Sequence, residues 1–551
     1  MTAPSRRRFV AGSFTAGAAA GLAAAGLPTT ARAATPAAAP APRTAAQAAA
    51  PAPRVTPGDP RYADLAVRGS NKRFTAHPDV FRPVTTTRQV VDAVADAVRQ
   101  RKRIAVRSGG HCYENVVGDP AVRVVIDLGA MDAVTYDAGR RAFMIEAGAR
   151  LMDVYRALFE GWGVTLPGGA SATVGFGGHI AGGGYGALTR AHGLAADHLY
   201  AVEVVVVDAF GCARAVVATR EKDDPHRDLW WAHTGGGGGN FGVVTRYWFR
   251  SPHATGTDPA QLLPRPPATI LSNAVIFPRE GMDKAAFGRL VRNHGLWHER
   301  NSGADSPYTG LYSGLVLPGR LKENDPGQSA IVFTHLDATL PDAPELLRRY
   351  VDELTDGVGV TPYITDTASD AWLTATLALA ESQDTDKGRQ KIKSAYLRRS
   401  FTDAQIDALY THLNTADHRH ESASVSIQSF GGHANTLPAH ATAGSHRDSV
   451  LNVIFMNTWQ DPQADADSIG WLRRLYRDVF ASTGGVPVPG RGSDGCYINY
   501  PDIDLADPEW NSSGVSWQRL YYKDNYPRLQ RIKAEWDPRG VFRQTLGIRP
   551  A

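Results

Sequence analysis

Arg107-Ser108-Gly109-Gly110-His111 places a glycine turn directly before an imidazole. With no side chains in the way, the backbone N–H groups of such a turn can close on an anionic group such as a pyrophosphate. His111 at its exit is a nucleophile when neutral. A second glycine-rich run extends from Pro167 to Gly186 and carries Val174, Phe176, His179, Ile180 and Tyr185 at intervals. A flexible linker lacks apolar anchors of that kind, so the run is expected to wrap a ligand. A third run, Gly235 to Gly242, contains Gly237-x-Gly239-x-x-Gly242, which matches the dinucleotide fingerprint in letters. It runs into strand-like Val243 to Phe249 where that fingerprint must open a helix, which argues against a nicotinamide-binding Rossmann unit. Near the C-terminus Tyr497, Asn499, Tyr500, Tyr521, Tyr522, Asn525 and Tyr526 crowd into loop-like sequence. Buried, they need polar partners, from a ligand or from another part of the fold.

These groups need elements to hold them. Thr85-Thr86-Thr87 followed by apolar Val90, Val91, Val94, Ala97 and Val98 predicts a hydroxyl-capped amphipathic helix. The short run Arg103 to Val106 feeds the first glycine turn as a strand, and Val122 to Leu128 and Phe143 to Ala147 supply two more. Leu151 to Phe159 is helical by spacing, and Val204 to Val207 reads as a strand buried on both faces. After Ser251 a proline-rich crossing, residues 252–268, opens a region with its own core. Strands are predicted over Ile270–Phe277, Thr309–Leu317, Ala330–Leu336, Ser424–Phe430 and Ser449–Phe455, with helices over 343–356, 402–413 and 468–481. The expected class is α+β, with an antiparallel sheet covered on one face by helices.

The 551 residues exceed what one core accommodates. Hydrophobic content of 43 % and charged content of 21 % describe an ordinary globular protein, and a net charge of +4 on 59 basic and 55 acidic residues gives no footprint for nucleic acid. The three cysteines, Cys112, Cys212 and Cys496, make neither a disulfide framework nor a zinc site, and Cys112 is expected to be a packed thiol beside the turn. Arg6-Arg7-Arg8, a weakly apolar Ala/Gly run and Ala31-Arg32-Ala33 form a Tat-type export signal over residues 1–33, too feebly hydrophobic to remain as a membrane anchor. Residues 34–58 follow as an Ala/Pro linker expected to be disordered.

Taken together, RSGGH at 107–111, TVGFGGHIAGGGYG at 173–186, GGGGGNFGVVT at 235–245, YINYPDIDL at 497–505 and the NYPRL-containing ending resemble the berberine bridge enzyme-like flavoproteins, secreted oxidases of the vanillyl-alcohol oxidase superfamily. The resemblance implies a PCMH-type FAD-binding domain of two subdomains over 59–252, a substrate domain over 253–510 and a segment, 511–551, that returns to the FAD domain. It implies FAD contacts from Arg107, Ser108, Gly109, Gly110, Gly169, Ser171, Thr173, Gly175, Gly178, His179, Gly183, Val243, Tyr497 and Asn499. It implies FAD bonded covalently through His111. A second, cysteinyl link is expected to be absent, because Ser171 stands where relatives carry cysteine and a hydroxyl is a far poorer nucleophile than a thiolate.

Tyr500 matches the family's base, which takes a hydroxyl proton while hydride leaves the carbon. A neighbouring cation or hydrogen-bond network must lower its pKa from near 10. Asn452 is the polar candidate on the strand expected to face the flavin, and Phe430 stands where some relatives carry a second tyrosine. The resemblance therefore implies a secreted oxidase that takes hydride from an alcohol carbon of a sugar, oligosaccharide or natural product and passes electrons to molecular oxygen. A dehydrogenase with another acceptor, an oxidative cyclase or desaturase, and a flavin-loaded binding protein with little turnover are the alternatives.

Overall fold

Thr86 opens the first long helix, α1 (Thr87–Arg99), by accepting the Gln89 N–H at 3.2 Å, as the threonine run predicts. The computed structural model describes residues 50–320, 329–383, 388–415 and 422–551. The export signal and most of the linker lie outside these residues. The fold starts earlier than its composition suggests: Val55 is fully buried and exchanges two backbone hydrogen bonds with Phe81, and Gln89 donates to the Ala50 carbonyl.

Strands β1 (Val80–Pro83), β2 (Arg103–Arg107) and β3 (Val122–Asp127) form a small parallel sheet in the order β1-β3-β2. A five-stranded antiparallel sheet follows, β4 (Val134–Asp137), β5 (Ala142–Glu146), β6 (Leu199–Val207), β7 (Ala213–Thr219) and β8 (Val243–Phe249), ordered β4-β5-β8-β6-β7. Helices α2 (Leu151–Trp162), ended by Gly163 at φ +68°, and α3 (Phe176–Ala181) lie between β5 and β6 in the chain.

The third sheet is antiparallel and has eight strands: β9 (Thr269–Phe277), β10 (Leu311–Pro318), β11 (Ala330–Asp337), β12 (Tyr363–Ile364), β13 (Ala368–Ala371), β14 (Arg389–Leu397), β15 (Ser422–Ser429) and β16 (Leu451–Trp459). Its main order is β12-β9-β11-β10-β15-β16-β14, with β13 also on β9. Helices α4 (Lys284–Arg300), α5 (Ala343–Thr355), α6 (Asp403–Asn414) and α7 (Asp465–Val479) accompany it, and α5 and α7 pack directly on its strands. The α+β class is thus observed. Sequence reading missed β14 and α4. In β14, Lys391 and Lys393 are buried, and only partners from elsewhere in the chain make that tolerable.

The tail, α8 (Trp517–Tyr522) and α9 (Tyr526–Trp536), goes back to the first half of the chain. Tyr522 donates to the Gly236 carbonyl, Gln544 donates to the Gly238 carbonyl, and Ile548 N–H donates to Asn240.

Candidate active site

A cavity of about 550 Å³ opens where the three glycine-rich runs, the tail and one face of the large sheet meet. That volume is within the range of small-molecule and cofactor sites. Gly109 and Gly175 show why two of the runs are glycine-rich. A Cβ on Gly109 would lie 2.2 Å from Gly175 N, and one on Gly175 would lie 2.1 Å from both Gly109 N and Ser108 Oγ. The first and second turns are therefore pressed together, backbone against backbone. Gly178 and Gly239 are different: both border the cavity, and a Cβ there would meet nothing within 4 Å.

Arg107 and Ser108 border the cavity but spend their polar groups inward. The buried Arg107 guanidinium pairs with Asp127 at 2.6 Å and donates to the Leu65 carbonyl, and Ser108 Oγ donates to the Ala147 carbonyl at 2.6 Å. Their side chains tie the turn to the sheet and leave contact with an anion to the backbone. The amides of Gly109 and Gly110 donate to no described acceptor, and Gly110 turns the chain at φ +78°.

His111 is half-buried, with Nε2 2.8 Å from Thr173 Oγ1, so Thr173 holds the ring rather than lining the cavity. Ser171 lines the wall, and so does Cys112. Cys112 therefore departs from the expected packed thiol. Its exposed surface faces the cavity, and burial by the surrounding protein pushes it up to about 11, leaving a neutral thiol. Cys212 and Cys496 are also free thiols. His179 Nε2 accepts the Gly169 N–H at 3.0 Å, which puts any ring proton on Nδ1, and burial lowers its pKa to about 4. It therefore holds the Gly169 loop as a neutral ring.

Tyr500 sits against the cavity with its hydroxyl 2.8 Å from that of Tyr185. Tyr185 donates to Gln428 Oε1 at 3.2 Å, and Tyr312 donates to the same oxygen at 3.1 Å. The Tyr113 ring packs edge-on against Tyr500. Burial raises the Tyr500 pKa well above its ordinary value, and the hydrogen bond with Tyr185 opposes that. The network is thus made of phenols and an amide. Tyr497 OH accepts from Gly184 N–H and from Asn499, and Asn499 also donates to the His179 carbonyl, so this pair clamps the second glycine run to the tail.

The remaining expected positions lie elsewhere. Asn452 is fully buried, facing Tyr396 across β14, and does not reach the cavity wall; its neighbour across β15, Gln428, does. Val243 is fully buried in β8, and Val244 borders the cavity in its place. Gly183 stands off the wall and turns the chain at φ +109°. Phe430 is buried against Tyr185 and Tyr396. Sequence reading passed over Gln428, Tyr185 as a partner of Tyr500, and Tyr113; the alternation Ser422-x-Ser424-x-Ser426-x-Gln428 is the signal that could have flagged Gln428.

A buried ion cluster braces these parts. Lys391 contacts Glu114 at 2.6 Å and Asp502 at 2.7 Å, Lys393 contacts Asp502 at 2.6 Å and Asp504 at 2.7 Å, and Arg473 contacts Asp504 at 2.6 Å. Three cations meet three carboxylates. Glu114 lies three residues beyond His111 and Asp502 two beyond Tyr500, so the edge strand β14 locks both loops in place.

The profile described as berberine and berberine like matches residues 496–549, and that of an FAD binding domain matches residues 78–209. Aclacinomycin-N/aclacinomycin-A oxidase of Streptomyces galilaeus is 52 % identical over 495 residues, covering 89 % of each chain. The chain belongs to the berberine bridge enzyme-like family. This berberine bridge enzyme-like protein is an FAD-dependent oxidoreductase. Hexose oxidase of Chondrus crispus is 30 % identical over 89 % of the chain and 93 % of its own length. The solved structure of an aclacinomycin oxidoreductase matches with a TM-score of 0.87 at 51 % identity, covering 91 % of this chain and all of its own. A glycopeptide hexose oxidase complexed with teicoplanin also matches with a TM-score of 0.87, at 49 % identity over 91 % of this chain and 99 % of its own. The residues present fit FAD: the unpartnered Gly109 and Gly110 amides suit its anionic pyrophosphate, and the open cradle over Gly178 and Gly239 leaves room for it.

Proposed function

We propose that this protein is an exported oxidase that takes hydride from an alcohol carbon of a sugar, oligosaccharide or natural product, with molecular oxygen as the final electron acceptor. The observation that carries the reading is the Tyr500–Tyr185 hydroxyl pair, on the same cavity as His111 and the glycine turns. When bound, FAD supplies the hydride-accepting ring. The Gly109 and Gly110 amides would meet its pyrophosphate, and His111 would hold it through a covalent bond. Ser171 forms none, so the flavin is singly linked. Tyr500 takes the hydroxyl proton of the substrate at its phenol oxygen, and Tyr185 stabilises the resulting phenolate by turning its single O–H from Gln428 to Tyr500. The relatives named as aclacinomycin oxidase and hexose oxidase support a sugar or natural-product alcohol as substrate.

Export rests on the twin-arginine signal, expected to be removed after Ala33. Among the described residues no helix is long and apolar enough to cross a membrane.

The test has two arms. Protein denatured in acid should show flavin fluorescence on the gel band, and His111→Ala should lose it; a fluorescent His111→Ala band refutes the attachment site. Aerobic assays over an alcohol and sugar panel should yield hydrogen peroxide, whereas a bound flavin that no substrate bleaches sinks the oxidase reading.

A further inference from the structure

A second cavity, of about 310 Å³, borders the second glycine run, and its size suits a ligand of one or two rings. Gly169, Ala170 and Ala187 border both cavities. A Cβ on Gly186 would lie 1.8 Å from the Gly168 carbonyl oxygen, so the wall between them is packed backbone on backbone. His111, Tyr500, Tyr185 and Gln428 do not border the second cavity, whereas the proline-rich crossing does, through residues 265–268. Its polar groups come from two elements. His335 and Asp337 stand two apart on β11 and so share a face, and His192 ends the short helix Thr189–His192. Neither imidazole hydrogen-bonds to a described residue through its ring. Burial lowers both to about 4, so each ring is neutral and offers one N–H donor and one bare nitrogen. Asp337 Oδ1 accepts the Thr339 N–H at 2.8 Å and its hydroxyl at 2.6 Å, and Oδ2 accepts from no described residue. Arg265, exposed at the rim, donates to the Ala260 carbonyl. Most of the remaining wall is apolar, with Trp372 and Leu379 from the helix Trp372–Gln383 and Ile270, Leu340 and Pro267 beside them.

These groups narrow what can lie there. Two bare imidazole nitrogens and a carboxylate oxygen outnumber the two imidazole N–H groups, so the ligand must bring donors. An anionic ligand would meet Asp337 and find no cation inside the rim. A polyol would cover Trp372, Ile270 and Leu340 with hydroxyls that lack partners. An uncharged aromatic ring bearing O–H groups meets both demands, with hydroxyls at its edge and an apolar face. We propose that this cavity is a second ligand site, separate from the flavin cavity, for a phenol of one or two rings whose hydroxyls are held by His335, Asp337 and His192. The site stands independently of the alcohol-oxidising reading.

The test is equilibrium binding to flavin-loaded protein at neutral pH. Naphthalene-2,7-diol is titrated calorimetrically beside its dimethyl ether, which keeps the rings and loses both donors. The diol should bind, and the ether should bind at least about tenfold more weakly. Phenylalanine suits a strand, so His335→Phe should fold and keep its flavin content while weakening the diol about three- to tenfold. His335→Gln, which keeps a donor and an acceptor, should recover most of that loss. Tyr500→Phe separates the two cavities and should leave the diol within about twofold of wild type. No binding of the diol, an ether that binds equally well, or a folded His335→Phe protein with unchanged affinity overturns the site. A loss in Tyr500→Phe as large as that in His335→Phe puts the diol in the flavin cavity and overturns it too.

Discussion

Burial works against Tyr500 as a base, and the hydrogen bond with the Tyr185 hydroxyl lowers its pKa in opposition. The two phenols should therefore behave differently when altered. Tyr500→Phe should cut kcat by about 10²–10⁴-fold, the usual contribution of a positioned proton acceptor, while the fluorescence of the acid-denatured band is unchanged. Tyr185→Phe should reduce the rate less but move the alkaline-rising limb of the pH–rate profile to higher pH, because the Tyr500 phenolate loses its donor. A Tyr185→Phe profile with an unmoved limb argues against the pair acting as a unit.

At the scale of elements, the two glycine turns and strand β14 set the cavity's geometry. Gly175 is in an ordinary extended conformation, φ −72° and ψ 129°, so its replacement is opposed by contact and not by backbone strain. Gly175→Ala would drive its Cβ onto Gly109 N, and the two turns would have to part. Protein purified from that variant should carry markedly less flavin per chain than wild type by absorbance. Strand β14 tests the ion cluster. Lys391→Met strands Glu114 and part of the charge on Asp502 in a site where Lys391 has only 2 % of its side chain exposed. Removing one partner of a buried cluster costs about 3–5 kcal/mol, which denaturant unfolding should register. A stability loss below about 1 kcal/mol shows that the loops bearing His111 and Tyr500 are held by other means.

Across the whole molecule, buried neutral histidines link stability to pH. His233 and His294 are almost fully buried, and that burial lowers both to about 4, against an ordinary value of 6.5. Between these values the unfolded chain binds protons that the folded chain does not, so stability is fully present above pH 6.5 and is lost as pH falls toward 4. By pH 5 the loss should be on the order of 2 kcal/mol per buried ring. Thermal unfolding followed from pH 7.5 to 5 should show Tm falling. A flat Tm over that range refutes the assignment of neutral, sealed rings.

The sequence by itself determined the class of fold, the three glycine runs, the placement of His111 and Tyr500, and the family. Local periodicity and glycine spacing carry the fold class and the turns, because a strand or turn is set by its own residues, whereas Tyr500 and the family rest on the motifs that resemble the berberine bridge enzyme-like flavoproteins. Only the tertiary structure decided what the polar groups are for. Arg107 looks like an anion ligand until Asp127, twenty residues away, claims its guanidinium. Asn452 and Gln428 are cross-strand neighbours, and which of them reaches the cavity depends on the packing of Tyr396 and Tyr185 from separate parts of the chain. Lys391 and Lys393 hide β14 from a periodicity reading, since two charges in a buried strand are acceptable only when carboxylates from Glu114, Asp502 and Asp504 arrive in space. Glycine density likewise shows that something must come close. Whether a second turn comes close, as at Gly175, or open space is left beside the cavity, as at Gly178, is fixed by the packed fold.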